Sequence, residues 1–438
     1  MLLKSTNPQD AAYVSFKDAT LKCLPKTGGL YVPASMPDVR HIIYAMDERT
    51  FYPDLLAPLT ASLLESEMDS AAARRVSDNC ASIQPELQVL DERFSILHLC
   101  RGPTGSFKDF GITFLSAVLE EIAPKDEHLV VASSVVGSLG TSLAHAFGMR
   151  KNISCVLLYP QGDFYGLSPQ MLQRPGGGGN IIPIRLKNSS PDDCAALLTD
   201  LISDEQWTGR YPTTSANAIN PSIFLPQSFY YVYAFIKLKK LLTGELFFSV
   251  PSGHFGNLIS GLYAWKFGLP VNGFIAAMNV NNALDDLWKE PQTQKRIPAR
   301  TISPALDVSY PGNHRQLISL YNEVPSVMRN MVFPKVETDA ETEDAIDYAW
   351  RRYNILIDPH TAVAFSAALK FSSGKNFDGH IVILSTGAAA KAPSLIRRVT
   401  GREIYVPAHL AELQKKSEPL AEIPCELDFL ESAIASCF

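Results

Sequence analysis

The stretch Gly102-Pro-Thr-Gly-Ser-Phe-Lys-Asp-Phe-Gly111 joins a short apolar run at 95–99 to a segment with helical periodicity. Apolar residues in and after it recur at 107, 110, 114, 115, 118 and 122, which predicts an amphipathic helix. Lys108 lies near the start of that helix and off its apolar stripe. A lysine there is unfavourable against the helix dipole, and most lysines simply lie in solvent. In a dry site at a strand-to-helix junction, however, desolvation lowers a lysine pKa and frees the amine for Schiff-base chemistry.

The same order of an apolar run, a glycine-containing turn and a segment with helical periodicity recurs along the chain from residue 96. Apolar runs typical of buried strands fall at 95–99, 129–133, 155–159, 181–186, 246–250, 273–277 and 380–384. This alternation predicts a doubly wound α/β fold with mainly parallel sheets. The first 95 residues lack strand alternation and show helical pieces at 60–64 and 68–76, which indicates a separate N-terminal domain.

Composition narrows the class of function. The formal net charge is -6 and no basic run occurs, which argues against nucleic acid or an anionic membrane as a partner. We find neither a signal-peptide pattern nor an apolar run near the ~18 residues that span a bilayer. The 7 cysteines are dispersed without a Cys-x-x-Cys pair, which favours reduced core thiols and no metal site. We therefore expect a cytoplasmic enzyme with a small-molecule substrate.

A second strand-to-helix turn is Pro251-Ser-Gly-His-Phe-Gly-Asn257. Free backbone N–H groups and the positive end of a helix dipole converge in such a turn, so a phosphate is the expected ligand, although the turn is equally consistent with a structural role. It is not a P-loop, because no Gly-Lys-Ser/Thr follows, and it lacks the Gly-x-Gly-x-x-Gly dinucleotide spacing. The glycine run at 175–180 opens no helix, which favours a turn or mobile loop.

Two further strand ends carry hydroxyl groups. The segment Ile381-Val-Ile-Leu-Ser-Thr-Gly387 ends a strand where ligands collect in open α/β sheets, and its hydroxyls could meet a ring nitrogen. The segment 129–142 has a turn rich in serine and glycine that could hold a substrate carboxylate on backbone N–H groups. Helix capping by Ser138 or Thr141 explains the second turn equally well.

The order of these segments resembles the fold type II pyridoxal-phosphate enzymes (tryptophan synthase β-like), and within them the threonine synthase family. That family's lysine segment reads Gly-Pro-Thr-x-x-Phe-Lys-Asp, as at 102–109, and its phosphate loop reads Pro-Ser-Gly-Asn-Phe-Gly-Asn, as at 251–257 with His254 for the first Asn. Further matches are Ser5-Thr-Asn7, Leu158-Tyr-Pro160, Ser215-Ala-Asn-Ala-Ile-Asn220, Ala305-Leu-Asp-Val308 and Asp358-Pro-His-Thr-Ala362. The resemblance covers nearly the whole chain.

The resemblance implies pyridoxal 5′-phosphate as cofactor, with Lys108 as the Schiff-base lysine and the base at the substrate α-carbon. It implies conversion of O-phospho-L-homoserine and water to L-threonine and phosphate. The implied cofactor-binding residues are Phe107, Gly253, His254, Phe255, Gly256, Asn257 and Thr386. The implied substrate-binding residues are Ser134, Ser138, Thr141, Asn217 and Arg101.

Four departures from the family pattern cluster on the substrate side. The carboxylate turn, Ser-Gly-Asp-Thr-Gly in the family, is enlarged here and has Ser138 where the acid should be. Ile223 stands where an arginine is usual, so one guanidinium that could bind a phosphate is absent. Gly387-Ala-Ala-Ala-Lys391 replaces Ala-His-Pro-Ala-Lys, and Arg101 followed by Gly105-Ser106 replaces a histidine and a small apolar pair.

These departures leave three hypotheses. The first is a threonine synthase with unusual substrate contacts; the second is β- or γ-elimination or replacement on another amino acid; the third is a non-catalytic descendant that binds the cofactor. A retained Lys108 argues against the third. We expect an N-terminal domain over 1–95, a smaller α/β subdomain over 96–175 with the lysine and carboxylate-turn segments, and a larger α/β domain over 176–438 with the phosphate loop, in a monomer or homodimer.

Overall fold

The computed structural model describes residues 1–64, 67–124, 127–135, 137–148, 150–162, 164–167, 179–284, 297–374 and 377–437. The predicted glycine turn at 175–180 lies outside these ranges except for its last two residues. In the described part of the chain, no helix has both the length and the apolar character needed to cross a membrane.

The strands are β1 (Leu2–Ser5), β2 (Tyr13–Ser15), β3 (Tyr31–Pro33), β4 (Glu86–Val89), β5 (Phe94–His98), β6 (Leu129–Ser134), β7 (Ile153–Tyr159), β8 (Phe164–Tyr165), β9 (Ile181–Lys187), β10 (Thr213–Ser215), β11 (Glu245–Pro251), β12 (Gly273–Asn279), β13 (Val332–Glu337), β14 (Gly379–Ser385), β15 (Lys416–Ser417) and β16 (Ala421–Pro424). The helices are α1 (Phe16–Lys22), α2 (Arg40–Ala45), α3 (Tyr52–Leu64), α4 (Ser70–Cys80), α5 (Lys108–Ile122), α6 (Leu139–Phe147), α7 (Pro191–Ser203), α8 (Glu205–Arg210), α9 (Pro221–Phe224), α10 (Ser228–Leu238), α11 (Gly256–Lys266), α12 (His314–Glu323), α13 (Pro325–Met331), α14 (Asp339–Tyr353), α15 (Pro359–Ser372), α16 (Pro393–Thr400), α17 (Ala408–Glu412) and α18 (Leu427–Ala435).

The larger sheet has six strands in the order β13-β12-β11-β14-β5-β4. All of its neighbours pair in parallel except β4, which pairs antiparallel with β5. Strands β11, β12 and β14 are almost entirely buried, because helices cover both faces of a parallel sheet. The prediction of a doubly wound, mainly parallel α/β fold is confirmed.

The smaller sheet has five parallel strands in the order β10-β6-β7-β9-β16. Two of its strands, β9 and β10, follow residue 175, and β16 comes from the C-terminal segment. In the other direction, β5 just precedes the lysine segment but pairs with β14 in the larger sheet. The sheets therefore do not divide at 95 and 175 as expected, because strand pairing joins segments that lie far apart in the sequence.

The N-terminal region contains a three-stranded antiparallel sheet, β2-β1-β3, which the sequence did not indicate. Its strands have only 3 or 4 residues, too few to show an alternating pattern. The helical pieces expected at 60–64 and 68–76 correspond to α3 and α4. These helices pack into the same apolar core as α5, so the N-terminal region supports the helix that begins at Lys108.

Candidate active site

The site lies at the carboxyl edge of the larger sheet, where β11, β14 and β5 are consecutive neighbours. The turn after β11 contains Gly253, the turn after β14 contains Thr386, and the turn after β5 leads to Lys108. Because parallel strands end at the same edge, the three predicted segments lie side by side. This edge is the place where ligands bind in open α/β sheets.

Main-chain hydrogen bonds join the lysine segment to the turn after β14. Phe107 N–H donates to the Thr386 carbonyl at 3.0 Å, and Ala388 N–H donates to the Gly105 carbonyl at 3.0 Å. These bonds fix the first residue of α5, Lys108, beside Thr386. The relation is set by backbone groups, so it does not depend on the identity of the side chains.

The Lys108 side chain is half-buried at the start of α5. Burial, and in second place the neighbouring ammonium of Lys391, lowers the pKa of Lys108 to about 8. A lysine with this pKa has a substantial fraction of free amine near neutral pH, which is what nucleophilic lysine chemistry requires.

Asp109, the next residue, is buried and anchors the lysine segment. Its carboxylate accepts hydrogen bonds from Thr104 N–H at 3.0 Å, Thr104 Oγ1 at 2.7 Å and Ser142 Oγ at 2.8 Å. Ser142 lies on α6, which follows the strand β6 of the smaller sheet. The carboxylate therefore ties the lysine loop to the second sheet across the site.

The turn after β11 brings backbone close to backbone. A Cβ on Gly253 would lie 2.7 Å from the Ala305 carbonyl oxygen, so a side chain is sterically excluded there. Phe255 adopts a left-handed conformation with φ 66°, and α11 begins directly after it. The first N–H groups of a helix have no partner within it and attract anions. Asn257 Nδ2 is buried in this first turn without a hydrogen-bond partner, while its Oδ1 accepts from two tyrosine hydroxyls.

His254 occupies the middle of this turn. Its side chain has solvent access, but surrounding protein atoms, together with the charge of Lys108, lower its pKa to about 4. Gly312 N–H donates to His254 Nδ1 at 3.3 Å, so Nδ1 is the unprotonated nitrogen and Nε2 carries the proton. The imidazole is therefore a neutral donor beside the lysine.

A network of polar side chains from the start of α15 supports the backbone of Thr386. Thr386 N–H donates to Thr361 Oγ1 at 3.3 Å, and the Thr361 hydroxyl donates to the carboxylate of Asp358. His360 Nδ1 donates to Asp358 Oδ2 at 2.6 Å, and His360 Nε2 accepts from Ala305 N–H at 3.1 Å. Although burial alone would raise it, the pKa of Asp358 is lowered by its hydrogen bonds and by His360. Through Thr361, Asp358 and His360, this network connects the Thr386 backbone to Ala305. The carbonyl of Ala305 is the group that lies against Gly253.

Two predicted substrate-side residues meet at the end of the smaller sheet. Asn217 Nδ2 donates to Ser134 Oγ at 2.9 Å, and Ser133 Oγ donates to Asn217 Oδ1 at 2.6 Å. Ser138 does not cap α6 with its side chain, and its hydroxyl instead accepts a hydrogen bond from Lys391 Nζ. Thr141 is buried, and its hydroxyl donates to the Ser138 carbonyl at 2.9 Å.

Other predicted substrate contacts lie elsewhere. Arg101 is exposed and forms a surface ion pair with Glu86 at 2.9 Å. Ile223 is buried on α9 within the main apolar core, so no charged group replaces the family's arginine at that position.

Sequence reasoning did not assign a role to Asp109, Asp358 or Lys391. Asp109 and Asp358 lie in motifs quoted above, and Lys391 ends the altered Gly387–Lys391 segment. A charged residue within a motif was therefore the available signal that these residues belong to the site. What makes each of them part of the site is its tertiary contacts.

Comparison with known proteins agrees with this arrangement. A family model described as "Pyridoxal-phosphate dependent enzyme" matches residues 88–387, and one described as "Threonine synthase N terminus" matches residues 3–80. The chain is thus a pyridoxal-phosphate-dependent enzyme of fold type II. Threonine synthases from Serratia marcescens and Escherichia coli are each 31% identical to it, over 93% and 94% of this chain and 92% and 93% of theirs. The chain belongs to the threonine synthase family.

Solved structures agree with the family assignment. The crystal structure of threonine synthase from Escherichia coli matches all of this chain and all of its own, with a TM-score of 0.86 and 28% identity. A structure of threonine synthase from Brucella melitensis with bound pyridoxal phosphate has a TM-score of 0.84 and 25% identity, and the match covers 100% of this chain and 99% of that one.

The residues at the sheet edge fit pyridoxal phosphate. The first N–H groups of α11, which begins directly after Phe255, have no partner within the helix and can bind a phosphate, and Asn257 Nδ2 is a buried donor that lacks an acceptor. Lys108 supplies an amine of lowered pKa, and the Thr386 hydroxyl can face a ring nitrogen without requiring that nitrogen to carry a proton.

Proposed function

We propose that this protein converts O-phospho-L-homoserine and water to L-threonine and phosphate. The observation that carries the proposal is Lys108, an amine with a pKa of about 8 that main-chain bonds hold beside Thr386 and whose charge also acts on His254 in the turn at Gly253. When bound, pyridoxal phosphate supplies an electron sink for carbanions formed on the substrate.

Each predicted cofactor-side residue has a proposed task. Lys108 attaches the cofactor and moves the proton at the substrate α-carbon. Thr386 would meet the pyridine nitrogen with its hydroxyl, and Phe107, whose N–H donates to the Thr386 carbonyl, would border the cofactor. The phosphate is held by the turn that consists of Gly253, His254, Phe255, Gly256 and Asn257.

On the substrate side, we assign the carboxylate to the turn that begins at Ser134. Asn217 orients the Ser134 hydroxyl through their 2.9 Å hydrogen bond, and Ser138 and Thr141 shape the start of α6. Arg101 is not retained in this assignment, because it lies in a surface ion pair with Glu86. We further propose a cytoplasmic enzyme, a monomer or homodimer, with no nucleic-acid or membrane partner.

The experiment has two readouts. The purified protein with added pyridoxal phosphate is expected to show the visible absorption of a lysine Schiff base, and to release inorganic phosphate from O-phospho-L-homoserine as L-threonine forms. Lys108→Ala is the control and should lose both signals. Absence of the visible band in the wild-type protein would refute the assignment of Lys108.

A second function is favoured by Ile223, a buried apolar side chain where the family has an arginine. In that case the same cofactor chemistry acts on another amino acid by β- or γ-elimination or replacement. A visible band without phosphate release, followed by turnover of a different β- or γ-substituted amino acid, would identify it. A non-catalytic descendant would show no turnover of any such substrate.

A further inference from the structure

Lys391 is a cation within the site that the predicted roles leave unused. It ends a short 3₁₀ helix, Ala389–Lys391, that follows Thr386, and its side chain is half-buried. Its ammonium donates to the Thr104 carbonyl at 3.1 Å and to the Ser138 hydroxyl. It therefore links the turn after β14 both to the lysine segment and to the turn before α6.

Both acceptors of the ammonium are neutral. Among the described residues Lys391 forms no ion pair, and two of the three N–H donors of its ammonium are used, by the Thr104 carbonyl and the Ser138 hydroxyl. Burial lowers the pKa of Lys391, and the nearby carboxylates of Asp109 and Asp358 partly offset that effect. Neither carboxylate accepts a hydrogen bond from the ammonium, because Asp109 is occupied by Thr104 and Ser142, and Asp358 by His360 and Thr361. Thr104 thus lies between the two charged groups. Its N–H and its hydroxyl donate to the Asp109 carboxylate, and its carbonyl accepts from the Lys391 ammonium.

The positive charge of Lys391 favours an anionic ligand. Lys391 is near enough to Lys108 to lower the pKa of that residue, so its ammonium lies close to the amine that is assigned to the cofactor. Burial disfavours the charge of Lys391, and an anion bound to its ammonium would offset that cost. Neither of the other two positions considered for binding the substrate phosphate supplies a cation here. Arg101 lies on the surface, and position 223 is an apolar isoleucine.

We propose that Lys391 binds the phosphate group of the substrate, through its third N–H, beside the Ser138 hydroxyl. The inference rests on the proposed function, because it names how the same site recognises a phosphorylated amino acid. Lys391 is then a substrate-binding residue, and it supplies a positive charge that the isoleucine at position 223 does not.

The test is calorimetric binding of inorganic phosphate to the holoenzyme, in which the cofactor already fills its own phosphate site. Lys391→Gln keeps a donor for Thr104 and Ser138 but removes the charge, so phosphate should bind about 10- to 100-fold more weakly, the range of one charge-assisted hydrogen bond. Lys391→Arg should stay near the wild-type affinity. Lys26→Gln, at a side chain that is 80% exposed, removes the same charge and should change nothing.

L-threonine serves as the second ligand, because it has the carboxylate and lacks the phosphate. Its affinity should be the same in wild type and Lys391→Gln. If Lys391→Gln binds phosphate as tightly as wild type, or loses L-threonine affinity instead, the proposal is overturned. If the Gln variant does not load the cofactor, Lys391→Met, similar in length and without an unpaired dipole, takes its place.

The proposed function and this inference fail separately. A holoenzyme that does not release phosphate from O-phospho-L-homoserine, but binds inorganic phosphate through Lys391, refutes the substrate and keeps the anion site. A holoenzyme that turns over O-phospho-L-homoserine with an unchanged KM in Lys391→Gln refutes the anion site and keeps the reaction, since loss of a uniform binding contact raises KM.

Discussion

The pKa of Lys108 determines how fast the apoenzyme can capture its cofactor. With a pKa of about 8, about a quarter of the amines are free at pH 7.5, against about one in a thousand for an ordinary lysine at 10.5. The environment of Lys108 therefore increases the reactive fraction by roughly two hundredfold. Because lowering the pKa of a base favours its neutral form, the rate of Schiff-base formation should rise with pH and level off above 8.

The assay is stopped-flow absorbance after apoenzyme is mixed with pyridoxal phosphate from pH 6 to pH 10. The reaction of N-acetyl-lysine methyl ester with pyridoxal phosphate, measured over the same range, corrects for titration of the cofactor itself. Lys391→Gln should move the midpoint upward, because it removes the repulsive ammonium, but not to the ordinary value, since burial is the larger cause. A rate that still rises tenfold per pH unit above pH 9 would refute this account of the site.

Three further predictions follow from the contacts around the lysine. Gly253→Ala places a Cβ 2.7 Å from the Ala305 carbonyl, so the turn must shift and cofactor affinity, measured by absorbance titration, should fall about tenfold or more; unchanged affinity would contradict the steric argument. Arg101→Ala removes only an exposed ion pair with Glu86, so KM should change by less than about twofold in steady-state assays, and a tenfold rise would return Arg101 to the site. Asp109→Ala leaves the buried Thr104 N–H without its acceptor, while the Thr104 and Ser142 hydroxyls still bond to each other, so it should lower the free energy of unfolding by about 1 to 3 kcal/mol in urea titrations; no measurable loss would show that the N–H finds another partner.

The buried parallel strands could be predicted because each is a continuous apolar run followed by a glycine-containing turn. All seven predicted runs lie within observed strands, or overlap them in all but one residue. Most strands that were missed, such as β1 and β16, have 4 residues or fewer and are defined by their partners rather than by their own pattern. The missed strand β13 has 6 residues, but Pro334 and Lys335 interrupt its apolar run. The sheet limits were missed for the same reason, since the pairing of β5 with β14 spans most of the chain.

The candidate site divides in a similar way. Lys108, Thr386 and the turn at Gly253 could be found because each occupies the end of a strand, a position that sequence reveals. The roles of Asp358 and Lys391 could not, because each depends on a partner in a distant segment: Asp358 on Thr361 below Thr386, and Lys391 on Ser138 across the two sheets.

The departures from the family pattern bear differently on the cofactor and on the substrate. Gly105 and Ala388 are bridged by main-chain atoms, so changes in side chain at these positions leave Lys108 beside Thr386. Packing there is nevertheless close: a Cβ on Gly105 would lie 3.1 Å from both Ala388 Cβ and Leu410 Cδ2. Side chains at this edge therefore alter the shape and charge of the substrate space while the backbone keeps the lysine in register. For this reason we expect substitutions in these segments to change KM and substrate preference more than the visible absorption of the bound cofactor.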